Sequence, residues 1–291
     1  MTLPLPTSQP AGVHHFRLGD LVISTINDGY LEVTLDVMVN IPRAEAEALQ
    51  AAGFRRAPPR ITFNAFLVND GQSLTLIDTG CGTVGGPAAG ALGRHLAALG
   101  VAPEAIKTIL ITHMHIDHIS GLVDGAGEPV FPAAEVVAHA DEAKFWLGEP
   151  PPGAPEGLVE AFAIAKRGVG PYRERLRTVK GGEVAPGITL HPAPGHTPGH
   201  SGYRVDSGQE SLLIWGDIVH MPGVLFANPT AGMAFDADAA QAEATRRRIF
   251  AMAASERLRI AGMHLDFPAC GHVARAGSGY AFIPEVWSPH P

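Results

Sequence analysis

The chain has 291 residues, of which 46% are apolar and 17% charged, with a formal net charge of -8. That length accommodates one large domain or two average ones, and the aliphatic content supports a sizeable buried core, so a disordered chain is excluded. The acidic balance argues against a protein that lives on phosphate backbones, since such binding needs clustered Lys and Arg, and no nucleic-acid partner is expected.

The N-terminal stretch MTLPLPTSQPAG has no positively charged start and no continuous apolar run before its prolines. No later segment reaches the ~18 consecutive apolar residues of a membrane span. No membrane association is expected, and a cytoplasmic location is the default. From Leu21, LVISTINDG is rich in β-branched residues and reads as a strand ending on the turn signal Asp28-Gly29. NAFLVNDGQSLTLIDTG (Asn64 to Gly80) reads as a hairpin, because Asn69-Asp70-Gly71 supplies the residues that tolerate positive φ. In AAGALGRHLAALG (Ala88 to Gly100), Leu92, Leu96 and Leu99 recur at helical spacing and Gly100 is a stop signal. TILIT (Thr108 to Thr112) is then a short strand of buried type that delivers the loop THMHIDHISG.

Downstream, EVVAHADEAKFW reads as strand then helix, and GEPPPGAPEG (Gly148 to Gly157) as a surface loop leading into an inserted helix. GITLHPA, GYRVDS and SLLIWGD give three strands, a helix runs from about Asp236 to Glu256, and RIAGMH gives a last strand. Within that helix, Arg246-Arg247-Arg248 reads as a solvated face. Cys81 and Cys270 lie far apart without CxxC spacing, which suggests neither a disulfide framework nor a thiolate zinc site. Cys270 reads as a small packing residue. Strands mixed with helices, with chemically loaded loops at strand ends, predict a layered α/β architecture. The whole chain, 1–291, is expected to form one domain with its core over about 16–284.

Imidazole nitrogens and carboxylate oxygens are good ligands for first-row metals. The loop after TILIT offers His113, His115, Asp117 and His118. Residues two apart in an extended loop can face the same way, so His113 and His115 can hold one ion while Asp117 and His118 reach another. Further candidates stand at other strand ends: His196 in PGHTPGH, Asp217 after SLLIW, and His264 in AGMH. His14, His15, His95, His139, His191 and His290 show no ligand pattern, and His220 and His272 are intermediate, each a few residues beyond a candidate ligand.

Taken in order, HxHxDH, GHTPGH, a strand ending in GD and a strand ending in His make the sequence resemble the metallo-β-lactamase-fold hydrolases. The wording around these motifs, NAFLVNDG, LIDTG, ITHMHIDHISGL, FW, HTPGH and HLDFPACGH, is most similar to the methyl parathion hydrolases and their lactonase and arylesterase relatives. The resemblance covers about Phe16 to Pro284. It implies an αββα four-layer sandwich with two divalent metal ions at one edge of the sheets, zinc first and Mn, Fe or Co as alternatives. It assigns His113, His115 and His196 to one ion, Asp117, His118 and His264 to the other, and Asp217 as a bridge. Catalytic roles fall on Asp117, Asp217 and His264. Asp78 and His200 resemble the family's supporting positions, which fix the orientation of ligands, although Asp78 reads equally well as organising the turn with Gly80. Trp146, Leu225 and Phe226 occupy places where the resemblance puts apolar pocket lining, with ordinary core packing as the competing reading.

Two such cations generate hydroxide from a shared water and polarise an electrophile's oxygen. This fixes a hydrolytic mechanism and leaves the substrate open. The stretch TGCGTVGGP (Thr79 to Pro87) is glycine-rich where a phosphotriesterase is expected to carry an aromatic wall. A small lactone, including the acyl-homoserine lactones of quorum quenching, or an aryl ester is therefore the first expectation. Phosphotriester hydrolysis is the alternative. A nuclease, which needs a basic track, and a one-metal thiol dioxygenase of the same fold rank lower. A homodimer is a further expectation from the relatives.

Overall fold

Three strands of the first half bury apolar side chains on both faces, and this decides the layering. In Arg60–Asn69, Phe66 and Val68 belong to one hydrophobic cluster, Ala65 and Leu67 to another. Leu110 is divided in the same way from Ile109 and Ile111, and Val137 from Val136 and Ala138. Side chains alternate across a pleated strand, so such runs need a core on each face. The computed structural model describes residues 5–6 and 9–291; residues 1–4 and 7–8, within MTLPLPTSQPAG, lie outside the described residues.

The first sheet has seven strands in the order Val13–Leu18, Leu21–Glu32, Arg60–Asn69, Leu74–Ile77, Ile106–Leu110, Glu135–His139 and Leu176–Val179. The first four are antiparallel to one another and the last four parallel. The second sheet also has seven, in the order Gly279–Pro284, Cys270–Ala276, Arg259–Ala261, Glu210–Ile214, Ser201–Ser207, Ile188–Pro192 and Gly182–Ala185. Its single parallel pair, Glu210–Ile214 beside Arg259–Ala261, is joined through the helix Ala239–Glu256, since parallel neighbours need a long crossover. That helix packs on the second sheet, and the helices Leu92–Ala98, Ala140–Trp146 and Glu156–Val169 contribute to the core on the outer face of the first. The result is the αββα sandwich. Among the described residues no helix is long and apolar enough to cross a membrane.

The hairpin forms as its residues predict: the Asp70 carboxylate accepts from Gln72 N, Ser73 N and Ser73 Oγ, and Gly71 has φ +82°. The Asp28-Gly29 turn signal proves to be a bulge inside a strand that runs on to Glu32. Gly29 has φ +126°, and a Cβ there would stand 2.0 Å from the Ala88 carbonyl oxygen. Asp28 is fully buried and accepts from Cys81 N, Gly90 N and Leu92 N, so it pins the glycine-rich loop and the helix start to the sheet. The Arg246-Arg247-Arg248 expectation also needs correction. Arg246 is 2% exposed and donates to the carbonyls of Pro229 at 3.1 Å and Ala231 at 2.7 Å. Three consecutive helical residues are spread around the axis at about 100° each and cannot all face water.

Removing the Arg246 guanidinium strands two buried carbonyls at about 1–3 kcal/mol each. Arg246→Ala is therefore expected to lower unfolding free energy by about 2–4 kcal/mol, with Arg247→Ala and Arg248→Ala within about 0.5 kcal/mol of wild type. Urea denaturation measures all three. A wild-type midpoint for Arg246→Ala would show that this side chain anchors nothing.

Candidate metal centre

The candidate ligands converge from loops that follow strands of both sheets. Ile106–Leu110 leads through Thr112 to His113 and His115, and the short helix Ile116–Ile119 presents Asp117 and His118. His196 and His200 sit in the connection between Ile188–Pro192 and Ser201–Ser207. Asp217 follows Glu210–Ile214, and His264 follows Arg259–Ala261. The sheets are stitched together here: Ser201 N donates to Thr112 O, and the Tyr203 hydroxyl to Ile111 O.

Asp217 Oδ2 lies at the middle of the cluster, 2.9 Å from His264 Nε2, 3.3 Å from His196 Nε2 and 3.4 Å from both His113 Nε2 and His118 Nε2. His115 turns its Nδ1 inward, 3.0 Å from His113 Nε2 and 2.9 Å from His196 Nε2. Asp117 Oδ2 is 3.3 Å from His118 Nε2 and 3.5 Å from His264 Nε2. Donor atoms of His113, His115, His196 and Asp217 all lie within 4.8 Å of one another, as do those of Asp117, His118 and His264. Ligand atoms on a tetrahedral ion with bonds of ~2.0–2.1 Å stand about 3.3 Å apart. The spacing of both sets fits a divalent ion. So do two buried atoms without a hydrogen-bond partner, His118 Nε2 and Asp217 Oδ1.

The rings of His118, His196, His200 and His264 are each held by Nδ1, which fixes the tautomer. His118 Nδ1 donates to Asp78 at 2.7 Å, and the same carboxylate accepts from Thr112 N and Oγ1. Asp78 thus reaches across to the histidine loop, at the cost of a left-handed φ of +59°. His200 Nδ1 donates to Ala193 O, leaving Nε2 to accept from Asp217 N at 2.8 Å. His264 Nδ1 donates to Thr62 O at 2.8 Å, and Asn64 donates to the carbonyls of Met263 and Leu265 on either side of it.

Two participants escape sequence reasoning in part or whole. Asp236 accepts from His196 Nδ1 at 2.7 Å, but it sits forty positions downstream in a loop with no motif. His220 places Nε2 2.9 Å from Asp217 Oδ2 and stacks on His264 at 4.8 Å between ring centroids; its spacing three residues after Asp217 was the available signal. His272, by contrast, is exposed on the strand Cys270–Ala276. Cys270 is buried, with its thiol directed at Glu285 and pushed up to about 11 by burial, as suits a packing residue.

Burial lowers the basicity of His113 and His115 far below the ordinary value, and brings His200 to about 3 and His220 to about 4. Burial opposes charge on His118, His264 and His196 too, but carboxylates outweigh it: Asp217, Asp117 and Asp78 for His118, Asp217 and Asp117 for His264, and Asp217 with Asp236 for His196, which rises to about 9. Asp217 stays well below the usual carboxylate range because the surrounding histidines overcome its burial.

A cavity of about 520 Å³ opens over the cluster, walled by Leu31, Val37, Ile61, Phe63, Val84 and Phe235. A second, of about 720 Å³, shares His115, Ala161 and Phe235 with it and is backed by Phe145, Trp146 and Leu158. Trp146 therefore borders a cavity, its ring centroid 5.3 Å from that of His115. Leu225 and Phe226 do not, and the expectation for them is corrected: both are core residues, Phe226 stacking on Phe250 at 4.9 Å. The short helix Pro222–Leu225 turns that segment inward.

Residues 63–264 match the family model of the Metallo-beta-lactamase superfamily. Two mycobacterial proteins, each described as "Probable metallo-hydrolase", from Mycobacterium tuberculosis and Mycobacterium bovis, are 28% identical over 204 residues, or 56% of this chain. The chain spans 62% of the length of these curated relatives. The crystal structure of hydrolase AbOPH in the beta lactamase superfamily is similar with TM-score 0.92 and 33% identity, over 97% of this chain and 100% of that one. AidC, a dizinc quorum-quenching lactonase in complex with the product N-hexanoyl-L-homoserine, is similar with TM-score 0.91 and 27% identity, over 96% and 99%.

The strongly raised basicity of His118 and His196 favours protonated rings at neutral pH in the metal-free chain, with His264 shifted in the same direction, so binding an ion there expels protons. Their stabilising ion pairs are complete below the unfolded value of about 6.5 and are lost, for His196, as pH rises through about 9. Affinity for zinc should accordingly weaken as pH falls below about 9. Calorimetric titration of the chelator-stripped protein at pH 7, in buffers of different ionisation enthalpy, is expected to show at least about one proton released per ion. Heats independent of buffer would contradict this electrostatic description.

Proposed function

This chain belongs to the metallo-beta-lactamase superfamily; from that premise we propose that it is a metal-dependent hydrolase that opens lactones and cleaves aryl esters at a centre of two divalent ions. The observation that carries the substrate reading is the cavity seated on the ligand cluster, whose lining contains apolar side chains and cluster residues with no Lys or Arg among them. Beyond the ions themselves, an anionic phosphate ester would find no cationic side chain in this lining to pair with. A neutral substrate with an apolar arm fits, and the likeness to the lactonase AidC supports that class.

In this reading His113, His115 and His196 would hold one ion and Asp117, His118 and His264 the other, with Asp217 shared between the two sets. Imidazole-rich sets suit zinc, with Mn, Fe and Co as alternatives. Ions so held supply a nucleophilic water near neutral pH and a Lewis acid for the substrate oxygen. The rest is the work of the chain. Asp117, whose side chain is 15% exposed against 2% for Asp217, faces the cavity and is placed to receive the proton of the attacking water and return it to the leaving alkoxide. Asp217 holds the two halves at fixed separation, and His264, anchored on Thr62, presents its Nε2 between the two carboxylates. The acyl arm lies against Phe63, Ile61 and Val37, and the second cavity, reached past Ala161 and Phe235, takes the remainder. A neutral aryl phosphotriester is the second reading. It ranks lower because the wall formed by Cys81, Val84 and Gly85 carries no aromatic side chain where a phosphotriesterase is expected to have one, which leaves Phe63 and Phe235 as the aromatic rings of this lining.

Side-by-side rates on an acyl-homoserine lactone, an aryl ester and an aryl dimethyl phosphotriester, with and without chelator, test the reading. We expect chelator-sensitive turnover that favours the lactone or ester, and a loss on the order of 10³-fold in kcat/KM for Asp217→Ala. Preference for the phosphotriester would replace the substrate class, and full activity of Asp217→Ala would remove the bridging role. Ala161→Trp, which narrows the junction of the cavities, should raise KM for long-chain lactones by about tenfold and leave short aryl acetates nearly unchanged; an equal effect on both would show that the second cavity is unused.

A further inference from the structure

Glu142 stands in the first turn of the helix Ala140–Trp146 and is 0% exposed, although it carries a carboxyl group. Its Oε1 accepts from Met114 N at 2.8 Å, and its Oε2 accepts from Thr197 Oγ1 at 2.7 Å and Gly199 N at 2.9 Å. Met114 separates His113 from His115, and Thr197 and Gly199 lie between His196 and His200. The fit leaves no slack, since a Cβ on Gly199 would stand 2.2 Å from Glu142 N. With donors alone facing it, the group is satisfied as an ionised acceptor.

We propose that Glu142 is a positioning residue for one metal ion of the pair: from a third element it clamps the two loops that carry His113, His115 and His196. The inference rests on the ligand assignment proposed above. Two of the other three ligands have separate supports, with Asp78 behind His118, and Thr62 O and Asn64 behind His264. The partners of Glu142 all lie on the first pair of loops. The other ties between these two loops, Ser201 N to Thr112 O and the Tyr203 hydroxyl to Ile111 O, lie outside the ligand positions, whereas Glu142 joins residues that stand between or beside the ligands themselves, and a ligand set tolerates little displacement. Glu142→Gln is a sharp probe because it exchanges one acceptor oxygen for an NH2 group. Whichever way the amide turns, a donor meets either Met114 N or the Thr197 and Gly199 pair.

The experiment is zinc titration of the chelator-stripped full chain against a chromophoric competitor, with anomalous scattering at the zinc edge to locate the retained ion. Glu142→Gln is expected to weaken the ion at His113, His115 and His196 by about 10–100-fold and to leave the ion at Asp117, His118 and His264 unchanged. Thr197→Val, which removes one donor at constant shape, should weaken the same ion by a smaller factor, and Asn64→Ala should weaken the other ion instead. Unchanged affinities in Glu142→Gln, or equal weakening at both ions, overturn the proposal. Should Glu142→Gln fail to fold, Thr197→Val decides by the same two criteria. His113→Ala, titrated alongside, separates the levels: retention of the first ion there defeats the ligand assignment, whereas its loss there but retention in the Glu142 and Thr197 variants defeats only the role of Glu142.

Discussion

A carboxylate buried to 4% exposure stays ionised only where partners replace the water it has lost, and Asp217 meets that condition with imidazole nitrogens of five histidines around one oxygen. The requirement propagates outward. Histidines can crowd around one oxygen only if their loops arrive together, and the loops arrive together because two sheets end at the same edge of the sandwich. The main chain of Asp217 is itself held by His200, whose tautomer is set by Ala193 O. Unpartnered atoms remain inside this network, among them His118 Nε2 and Asp217 Oδ1, which face the middle of the cluster. Buried polar atoms are rarely left so without a function, and a divalent ion answers both.

The sandwich performs two tasks with different parts. Alternating apolar residues in Arg60–Asn69, Ile106–Leu110 and Glu135–His139 supply the two cores that fix the layers. The segments just past those and the second sheet's strands are relieved of packing duty and carry polar chemistry, as is common where ligands bind at strand ends. The supports come from elements distant in sequence: Asp78, Asp236, Glu142, Asn64 and the carbonyl of Thr62. Deep burial of these groups makes each a strong constraint, because a buried acceptor without its donor costs more than the bond itself is worth.

Selectivity has another origin. The cluster is polar, but the space above it is walled by aliphatic and aromatic side chains, and the nearby cations of the chain are directed elsewhere. Arg246 is spent on backbone carbonyls, and Arg55 pairs with Asp266 outside the cavity lining. The proposed substrate, a neutral electrophile with an apolar arm, matches such a space.

Much of this could be read from the residues in order. The apolar strands, the Asn69-Asp70-Gly71 hairpin and the stop at Gly100 are local, since backbone preference and period need no knowledge of the rest of the chain. The cluster of His113, His115, Asp117 and His118 was legible because so dense a set of donors directly after a buried strand has little structural use. His196, Asp217 and His264 were legible because each follows a strand in turn. What the order of residues could not supply was any relation that depends on which groups meet across the fold. Asp28 in a bulge rather than a turn, Arg246 buried rather than solvated, Leu225 and Phe226 in the core rather than the pocket, and Glu142 and Asp236 behind the histidines were decided by tertiary packing. A carboxylate or guanidinium looks the same in sequence whether it faces water or a ring of buried donors and acceptors; only the folded arrangement removes the water and makes the partner obligatory.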